Sequence, residues 1–319
     1  MNKNLFVAAL VIGLLGATGL GAKGITSASR GTVNQTQIMG NPLTINVGDD
    51  HAFQVYSDLA PGAGQFYPSD ADLADMGWFV RAGGTLTAPA FSDHAGGTAT
   101  AGLGTYTPFS ARSVSAVTGA GTAASPYSVT VTGTTAGGLI ATQVVTYVNG
   151  ENFFRQLFTL RNTGGASVSA RVFLGSDLYL ASSDAGVPFR EPMSGAPGGQ
   201  TCAGVTPVYT ILHISTGIQA PSAFSADSFS SIWSQINSGA LNNTVNPGSC
   251  IDNGAALQWD LTVPAGGSAT IQAATSFGDI PAVIQQPAVI APAPALGLTG
   301  LASLALALLA LSGLALRRK

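Results

Sequence analysis

Apolar and polar residues alternate along several short stretches in the middle of this chain. Between Phe153 and Asn162, the side chains of Phe154, Phe158 and Leu160 fall on one side of an extended backbone. The same period of two recurs in Tyr127–Thr132, Val144–Val148, Val168–Leu174, Leu257–Val263 and Ser268–Ala273. Because successive side chains of a strand point to opposite faces, these stretches predict β-strands with one apolar face.

Turn residues separate the predicted strands. Asn149-Gly150 lies between two of them and suits the positive φ angles of a type I′ turn, which predicts a β-hairpin. Asn162–Gly165 predicts a turn into the Val168–Leu174 strand, and Pro264–Gly267 predicts a closing hairpin. Since a sheet with one apolar face needs a covering layer, residues 30–280 are predicted to form an all-β antiparallel sandwich, or a larger two-sheet supersandwich.

One segment of this domain has helical spacing instead. In the Ser-rich stretch between Ala223 and Gly239, apolar residues recur at Phe229, Ile232, Trp233 and Ile236. This spacing predicts a short amphipathic helix.

Composition supports an exported β domain and excludes one class of partner. Only 8% of residues are charged, whereas 41 are Gly, which favours short strands joined by tight turns. Residues 30–290 contain seven Arg, no Lys and fifteen Asp or Glu, a net charge of −8. Such an acidic surface argues against binding to nucleic acid.

The N-terminus has the pattern of a secretory signal peptide. Lys3 precedes an apolar run from Leu5 to Leu20, and small residues follow from Gly21 to Ser29. We therefore assign residues 1–29 as a signal peptide, with an uncleaved membrane span as the alternative.

The C-terminus predicts a membrane-spanning helix. Residues 295–316 contain no charged residue, and 22 helical residues extend roughly 33 Å, enough to cross a bilayer core of about 30 Å. A Pro/Ala-rich linker at residues 281–294 precedes the helix, and a basic end at residues 317–319 follows it. Because basic residues beside a span stay cytoplasmic, the domain before it is expected to face outward.

The order of these tail features resembles the C-terminal sorting signals of the PEP-CTERM and IPTL-CTERM type. Ala-Pro-Ala-Pro replaces the motifs that name those signals, and the resemblance covers about residues 291–319. It implies that an exosortase-like sorting enzyme processes the tail in a Gram-negative host and delivers the protein to the cell surface or outside the cell. A permanent inner-membrane anchor is the alternative. The residues that carry the resemblance are Pro292, Pro294, Arg317, Arg318 and Lys319.

The two cysteines of the chain, Cys202 and Cys250, both lie in the predicted exported domain. An even number of cysteines outside the cytoplasm favours a disulfide. Closing a loop of this length would stabilise the fold by about 4 kcal/mol in the chain-entropy model.

One loop contains candidate metal ligands. Asp70, Asp72 and Asp75 bring hard oxygen ligands close together in the sequence, as calcium sites do, but without the spacing of an EF-hand. The hypothesis is a structural calcium ion at these residues, against the alternative of solvated loop carboxylates. No other cofactor is predicted.

Other residue types suggest sites only if folding brings them together. His213 lies in an apolar stretch and is predicted to be a core residue, whereas His51 and His94 each follow an aspartate. A carboxylate pair for glycoside hydrolysis is conceivable among Glu151, Asp177, Asp184 and Glu191. Aromatic residues that could stack on sugars are Tyr67, Trp78, Tyr106 and Trp233.

Contiguous catalytic motifs are missing from the sequence, which has no Gly-x-Ser-x-Gly, no His-Glu-x-x-His and no phosphate-binding loop. The predicted function is therefore a non-catalytic protein of the cell surface or extracellular matrix, with adhesion or association with exopolysaccharide as its role. The alternative is an exported carbohydrate-binding or carbohydrate-active protein, which would place carboxylates and aromatic residues together in a cleft.

Overall fold

The computed structural model of the chain describes residues 33–278, except 61–62, 96–99, 218, 247 and 249. These residues are mostly in β-strands, which confirms the all-β prediction. Among them no helix is long and apolar enough to cross a membrane. The predicted signal peptide, linker, membrane span and basic end at 317–319 lie outside the described residues.

Eighteen strands and two α-helices are formed by the described residues. The strands are β1 (Gln35–Met39), β2 (Leu43–Gly48), β3 (Phe53–Ser57), β4 (Met76–Ala82), β5 (Thr85–Ala88), β6 (Thr107–Pro108), β7 (Ser110–Val114), β8 (Tyr127–Thr134), β9 (Ile140–Tyr147), β10 (Phe153–Arg161), β11 (Val168–Asp177), β12 (Ala185–Arg190), β13 (Pro197–Gln200), β14 (Thr210–Ser215), β15 (Ala223–Ser228), β16 (Thr244–Val245), β17 (Ile251–Val263) and β18 (Ser268–Phe277). The helices are α1 (Thr100–Leu103) and α2 (Phe229–Ser238).

The strands form one long folded sheet and one small sheet. The long sheet runs in the order β6-β5-β4-β11-β17-β12-β13-β14-β18-β10-β9-β8-β7, and β15 also pairs with β17. It folds back on itself, so that Trp78 of β4 stacks on Phe158 of β10 with ring centroids 4.6 Å apart. Strands β1-β2-β3 form the small sheet, whose apolar side chains join the same core.

At two places the chain crosses from one layer of the folded sheet to the other, whereas the sequence predicts turns between neighbouring strands of one sheet. We call these two crossings arches. Strand β10 pairs with β9 and β18, whereas β11 pairs with β4 and β17, so the chain crosses from one layer to the other at residues 162–167. It crosses back between β17 and β18 at residues 264–267. The predicted meander and closing hairpin are therefore wrong at these two turns, although β9 and β10 do form the predicted hairpin.

The two arches hold each other through Asn162. Its backbone N–H donates to Gly267 O at 2.9 Å, and its side-chain amide donates to Ala166 O and Val263 O. The N–H of Gly266 donates to Gly164 O. These bonds tie the arch from β10 to β11 against the arch from β17 to β18, which keeps the two layers in register.

The Ser-rich segment folds partly as predicted. Its first six residues are strand β15, and α2 begins after Ser228, whose hydroxyl accepts a hydrogen bond from the N–H of Ser231 as an N-cap. The buried face of α2 consists of Ile232, Trp233 and Ile236, which pack with Phe79 in a second apolar cluster. Strand β4 is therefore covered on both faces.

A chain of polar side chains crosses the space between the layers. The Gln156 carbonyl accepts hydrogen bonds from the Trp78 indole at 2.8 Å and from the Gln143 amide at 3.1 Å. The Gln156 amide in turn donates to the Thr275 hydroxyl at 3.3 Å. Every side chain of this network is buried. The network provides hydrogen-bond partners for polar groups that are buried away from water.

Histidines lie at both ends of this network. His51 contacts Gln143 at 3.3 Å, and His213 contacts Thr275 at 3.3 Å and Ser176 at 2.7 Å. His213 is therefore a satisfied core residue, as predicted. Burial lowers the pKa of His51 to about 4 and that of His213 to about 3.

The remaining histidine forms a separate buried pair. His94 Nε2 lies 2.8 Å from an Asp50 carboxylate oxygen, and both side chains are inaccessible to solvent. Burial opposes a charge on His94, but the Asp50 carboxylate outweighs it and raises the pKa of His94. His51 is not part of this pair, because its ring lies against Phe109 and Phe158 and its Nδ1 contacts Gln143.

Replacing the hub of the buried network should destabilise the fold strongly. Gln156→Leu leaves the Trp78 indole and the Gln143 amide without their acceptor, at an expected cost of about 3 kcal/mol. The matched control is Thr159→Val on the outer face of the same strand, where only a bond to Thr270 is lost, and its cost should stay under about 1 kcal/mol. Urea unfolding of both variants measures the difference, and equal losses would contradict the role of the network.

The three histidines should titrate differently. At pH 5 we expect neutral His51 and His213 and a protonated His94, which imidazole ¹⁵N shifts would report. Because the folded pKa of His213 lies below that of the unfolded chain, its contribution to stability is complete above about pH 6.5 and declines as the pH falls. His213 should account for about 2 kcal/mol of the stability lost between pH 7 and pH 5, and His213→Gln should remove that share while the loss due to His51 remains. A His213 signal that titrates near pH 6.5 would refute this assignment.

Candidate functional site

Three aspartates from separate chain segments converge where β11, β12 and β17 meet. Carboxylate oxygens of Asp177, Asp184 and Asp252 all lie within 4.8 Å of one another. We call these three residues the acidic cluster. Asp177 is 2% exposed, whereas Asp184 and Asp252 are partly exposed, so the cluster extends from the protein surface to a buried base.

The strand register explains why two of the three aspartates meet. Asp177 is the last residue of β11 and pairs with Gly254 of β17. Asp252 lies two residues before Gly254 and therefore on the same face of β17. The absence of a side chain at Gly254 also suits close packing, because a Cβ there would lie 2.6 Å from Ser176 O.

A tight turn brings in the third aspartate. Leu180 and Ser183 exchange backbone hydrogen bonds, and the two residues between them, Ala181 and Ser182, have φ angles of +48° and +71°. Positive φ is unfavourable for both residue types, by about 1 kcal/mol or more each. The turn nevertheless reverses the chain so that Asp184 returns beside Asp177.

The predicted disulfide is present and secures this region. Cys202 and Cys250 are bonded, which confirms the prediction. Cys250 lies two residues before Asp252, and the sulfur of Cys202 lies 3.5 Å from Ala185 O, next to Asp184. The bond therefore joins the segment that carries Asp252 to Cys202, whose sulfur lies against the start of β12.

The negative charges of the acidic cluster repel one another, and none of them forms an ion pair with a positive side chain among the described residues. Burial, and then the charges of Asp252, Asp75 and Asp184, raise the pKa of Asp177 well above its ordinary value. Burial, with Asp184, raises the pKa of Asp252 to about 6. In each of the three residues, one carboxylate oxygen is buried and accepts no hydrogen bond from any residue that the structure describes.

Tyr67 and Asp75 border the cluster. The N–H of Tyr67 donates to Asp177 O, and the N–H of Asp177 donates to Asp75 O, so the three backbones are in contact. Burial raises the pKa of the Tyr67 phenol, and so do the charges of the cluster and of Asp75. The phenol of Tyr67, a residue predicted as a sugar-stacking candidate, is therefore close to these carboxylates.

The calcium loop predicted from the sequence does not assemble as one group among the described residues. Asp72 accepts a hydrogen bond from Gln35 at 3.0 Å, and Asp70 is exposed. Only Asp75 turns inward, where it is fully buried beside the acidic cluster. Calcium binding by Asp70, Asp72 and Asp75 together stays a prediction.

Two of the four candidate acids named from the sequence do meet, namely Asp177 and Asp184. Glu151 instead pairs with Arg155 at 2.7 Å, and Glu191 accepts hydrogen bonds within its own turn from Met193 and Ser194. Sequence reasoning missed Asp252, which is distant along the chain. The one feature of the sequence that could have pointed to Asp252 is its position two residues after Cys250.

The other aromatic candidates lie elsewhere. Trp78 and Trp233 are fully buried in the two apolar clusters, and Tyr106 packs against Phe91. Packing in the core therefore accounts for both tryptophans.

A depression of about 480 Å³ lies on the outer face of β4, β11 and β17, apart from the acidic cluster. Its Arg171 pairs with Asp260 at 3.1 Å and donates to Gly239 O, while Arg81 donates to Asn237 O. Both arginines thus bind the carbonyl end of α2, which is where cations stabilise a helix. The arginines of this depression therefore serve to attach α2 to the sheet.

Comparisons with known proteins find no family model and no curated protein that matches this chain. Several solved structures do match. They include a protein assigned as a kojibiose phosphorylase from the human microbiome (8% identity, TM-score 0.35, 70% of this chain and 23% of that one). Heparan sulfate lyase HepC from Pedobacter heparinus matches with 8% identity and a TM-score of 0.40, over 75% of this chain and 33% of that one. A β-arabinopyranosidase matches with 12% identity and a TM-score of 0.31, over 76% and 40%.

These matches contradict the prediction of a non-catalytic protein, because each of the three is named as an enzyme. That prediction relied on the lack of contiguous motifs, and catalytic residues that come from separate strands and loops leave no such motif. This chain spans less than half the length of each of these three structures. At these identities and TM-scores the likeness assigns no activity to it.

Proposed function

We propose that this protein is an exported carbohydrate-active protein and that a glycan binds at the acidic cluster beside Tyr67. The observation that carries the proposal is the convergence of three carboxylates, each with a buried oxygen that lacks a donor among the described residues. The proposal takes up the carbohydrate-related alternative in place of the prediction of a non-catalytic protein, which is contradicted.

The chemistry of the cluster selects a ligand that donates hydrogen bonds or carries positive charge. Ionised carboxylates only accept, so anionic ligands such as phosphate are repelled. Sugars present many hydroxyl donors, and a partly exposed tyrosine ring offers the flat apolar surface on which a sugar ring stacks. Asp184 and Asp252, which are partly exposed, are the two carboxylates that such a ligand reaches first.

Removing one accessible carboxylate should weaken glycan binding. The exported full chain would be tested against neutral and uronate-containing polysaccharides, with affinity and released products both measured. We expect Asp252→Asn to bind the recognised glycan at least about tenfold more weakly, since one charge-assisted hydrogen bond is lost. The control is Asp58→Asn, an exposed carboxylate outside the cluster. Equal affinity of the two variants, or no glycan recognised by the wild type, would contradict the proposal.

We also propose that residues 281–319 act as a sorting tail, processed by an exosortase-like enzyme after export. The disulfide is consistent with an oxidising compartment. Intact mass and cell fractionation in a Gram-negative host should show a mature protein outside the inner membrane that lacks both ends. A wild-type protein that keeps its C-terminal peptide in the inner membrane would instead indicate a permanent anchor.

A further inference from the structure

We propose that the acidic cluster binds a divalent cation of the calcium type, with Asp177, Asp184 and Asp252 as its protein ligands. This inference deepens the proposed function, on which its glycan-related part rests, because a bound cation offers open coordination positions to sugar hydroxyls. The cation site itself is argued from the geometry, burial and charge of the cluster.

The distances between the three carboxylates fit one shared ion. Calcium lies about 2.3–2.6 Å from each oxygen ligand, so two oxygens on the same ion are separated by at most about 5 Å. The ligand atoms of the cluster all lie within 4.8 Å of one another. One ion between them would lie at most about 2.8 Å from each oxygen, so that small rotations of the side chains bring all three carboxylates into contact with it.

Asp177 provides an independent indication of a ligand. Its side chain is 2% exposed, and its Oδ1 atom accepts no hydrogen bond from any residue that the structure describes. A buried carboxylate normally forms an ion pair or coordinates a metal, because its transfer from water without a partner is unfavourable. A cation at the base of the cluster provides that partner.

The protein supplies no cation of its own at this place. The ion pairs among the described residues join Arg112 to Asp49, Arg155 to Glu151, Arg171 to Asp260, and His94 to Asp50. None of them involves the acidic cluster. The three carboxylates of the acidic cluster therefore have no ion-pair partner among the residues that the structure describes.

The ligand type favours calcium over transition metals. The cluster offers only carboxylate oxygens, whereas zinc and copper sites use imidazole or thiolate ligands. Both cysteines are oxidised in the disulfide, and the three histidines are buried and contribute no ligand atom to the cluster. With three protein ligands, several of the 6–8 positions typical of calcium remain for water or sugar hydroxyls.

Calcium binding is tested on the exported full chain after treatment with EDTA, by calorimetric titration of CaCl₂ and by thermal unfolding. Wild type should bind with the roughly 10⁻⁴–10⁻³ M affinity of extracellular sites or tighter, and its unfolding temperature should rise with calcium. Asp252→Asn and Asp184→Asn should each bind at least about tenfold more weakly. The matched control, Asp70→Asn, removes a carboxylate of the loop predicted from sequence and should bind as wild type does.

Stability in EDTA separates lost binding from misfolding. Because each Asn variant relieves repulsion between carboxylates, it should unfold at the same or a higher temperature than metal-free wild type. A wild type with no binding heat and no thermal shift at about 10 mM calcium would overturn the cation site. So would unchanged calcium affinity in both cluster variants, or a loss of affinity confined to Asp70→Asn.

The glycan assay, repeated with EDTA and with calcium, distinguishes this inference from the proposed function. Calcium binding without glycan binding supports the cation site and overturns the glycan proposal. Glycan binding in EDTA, by a protein that takes up no calcium, overturns the cation site and leaves the glycan proposal standing. Glycan affinity that rises with calcium in wild type, and not in Asp252→Asn, supports both.

Discussion

The structure depends on the hydrogen bonds of Gln156, which join its two layers. Its carbonyl accepts from Trp78 in one layer and from Gln143 in the other, and its amide donates to Thr275. Apolar packing alone would allow two such sheets to slide, because dispersion and hydrophobic contacts have little directional preference. A buried amide forms all its hydrogen bonds with specific partners in only one arrangement of the layers. The network therefore specifies how the layers align.

The acidic cluster is connected to this network through one strand. Ser176 points between the layers and contacts His213, and the next residue, Asp177, points to the opposite face because side chains alternate along β11. The same backbone therefore holds a core residue and the buried base of the candidate site. At its end the chain adopts the unfavourable turn at Ala181 and Ser182, and such strain is commonly found where a site must be built.

Local features of the fold could be predicted from the sequence, and long-range ones could not. Alternation located β8, β9, β10, β11 and β17, helical spacing located α2, and cysteine count predicted the disulfide. The strands on either side of a turn alternate with a period of two whether the turn is an arch or a hairpin. The crossings at Asn162 and Pro264 could therefore not be distinguished from turns within one sheet. Asp177 and Asp184 were named as candidate acids from their residue type, but only the pairing of β11 with β17 places Asp252 beside them.

The disulfide links completion of the site to the compartment in which the chain folds. Asp252 belongs to the segment that follows Cys250, and its partners Asp177 and Asp184 precede Cys202. A copy that still carries two thiols lacks the covalent link between these segments, and the mutual repulsion of the aspartates then acts to separate them. If the chain is exported and binds a ligand as proposed, oxidation of the two thiols is a maturation step that completes the site only in an oxidising compartment.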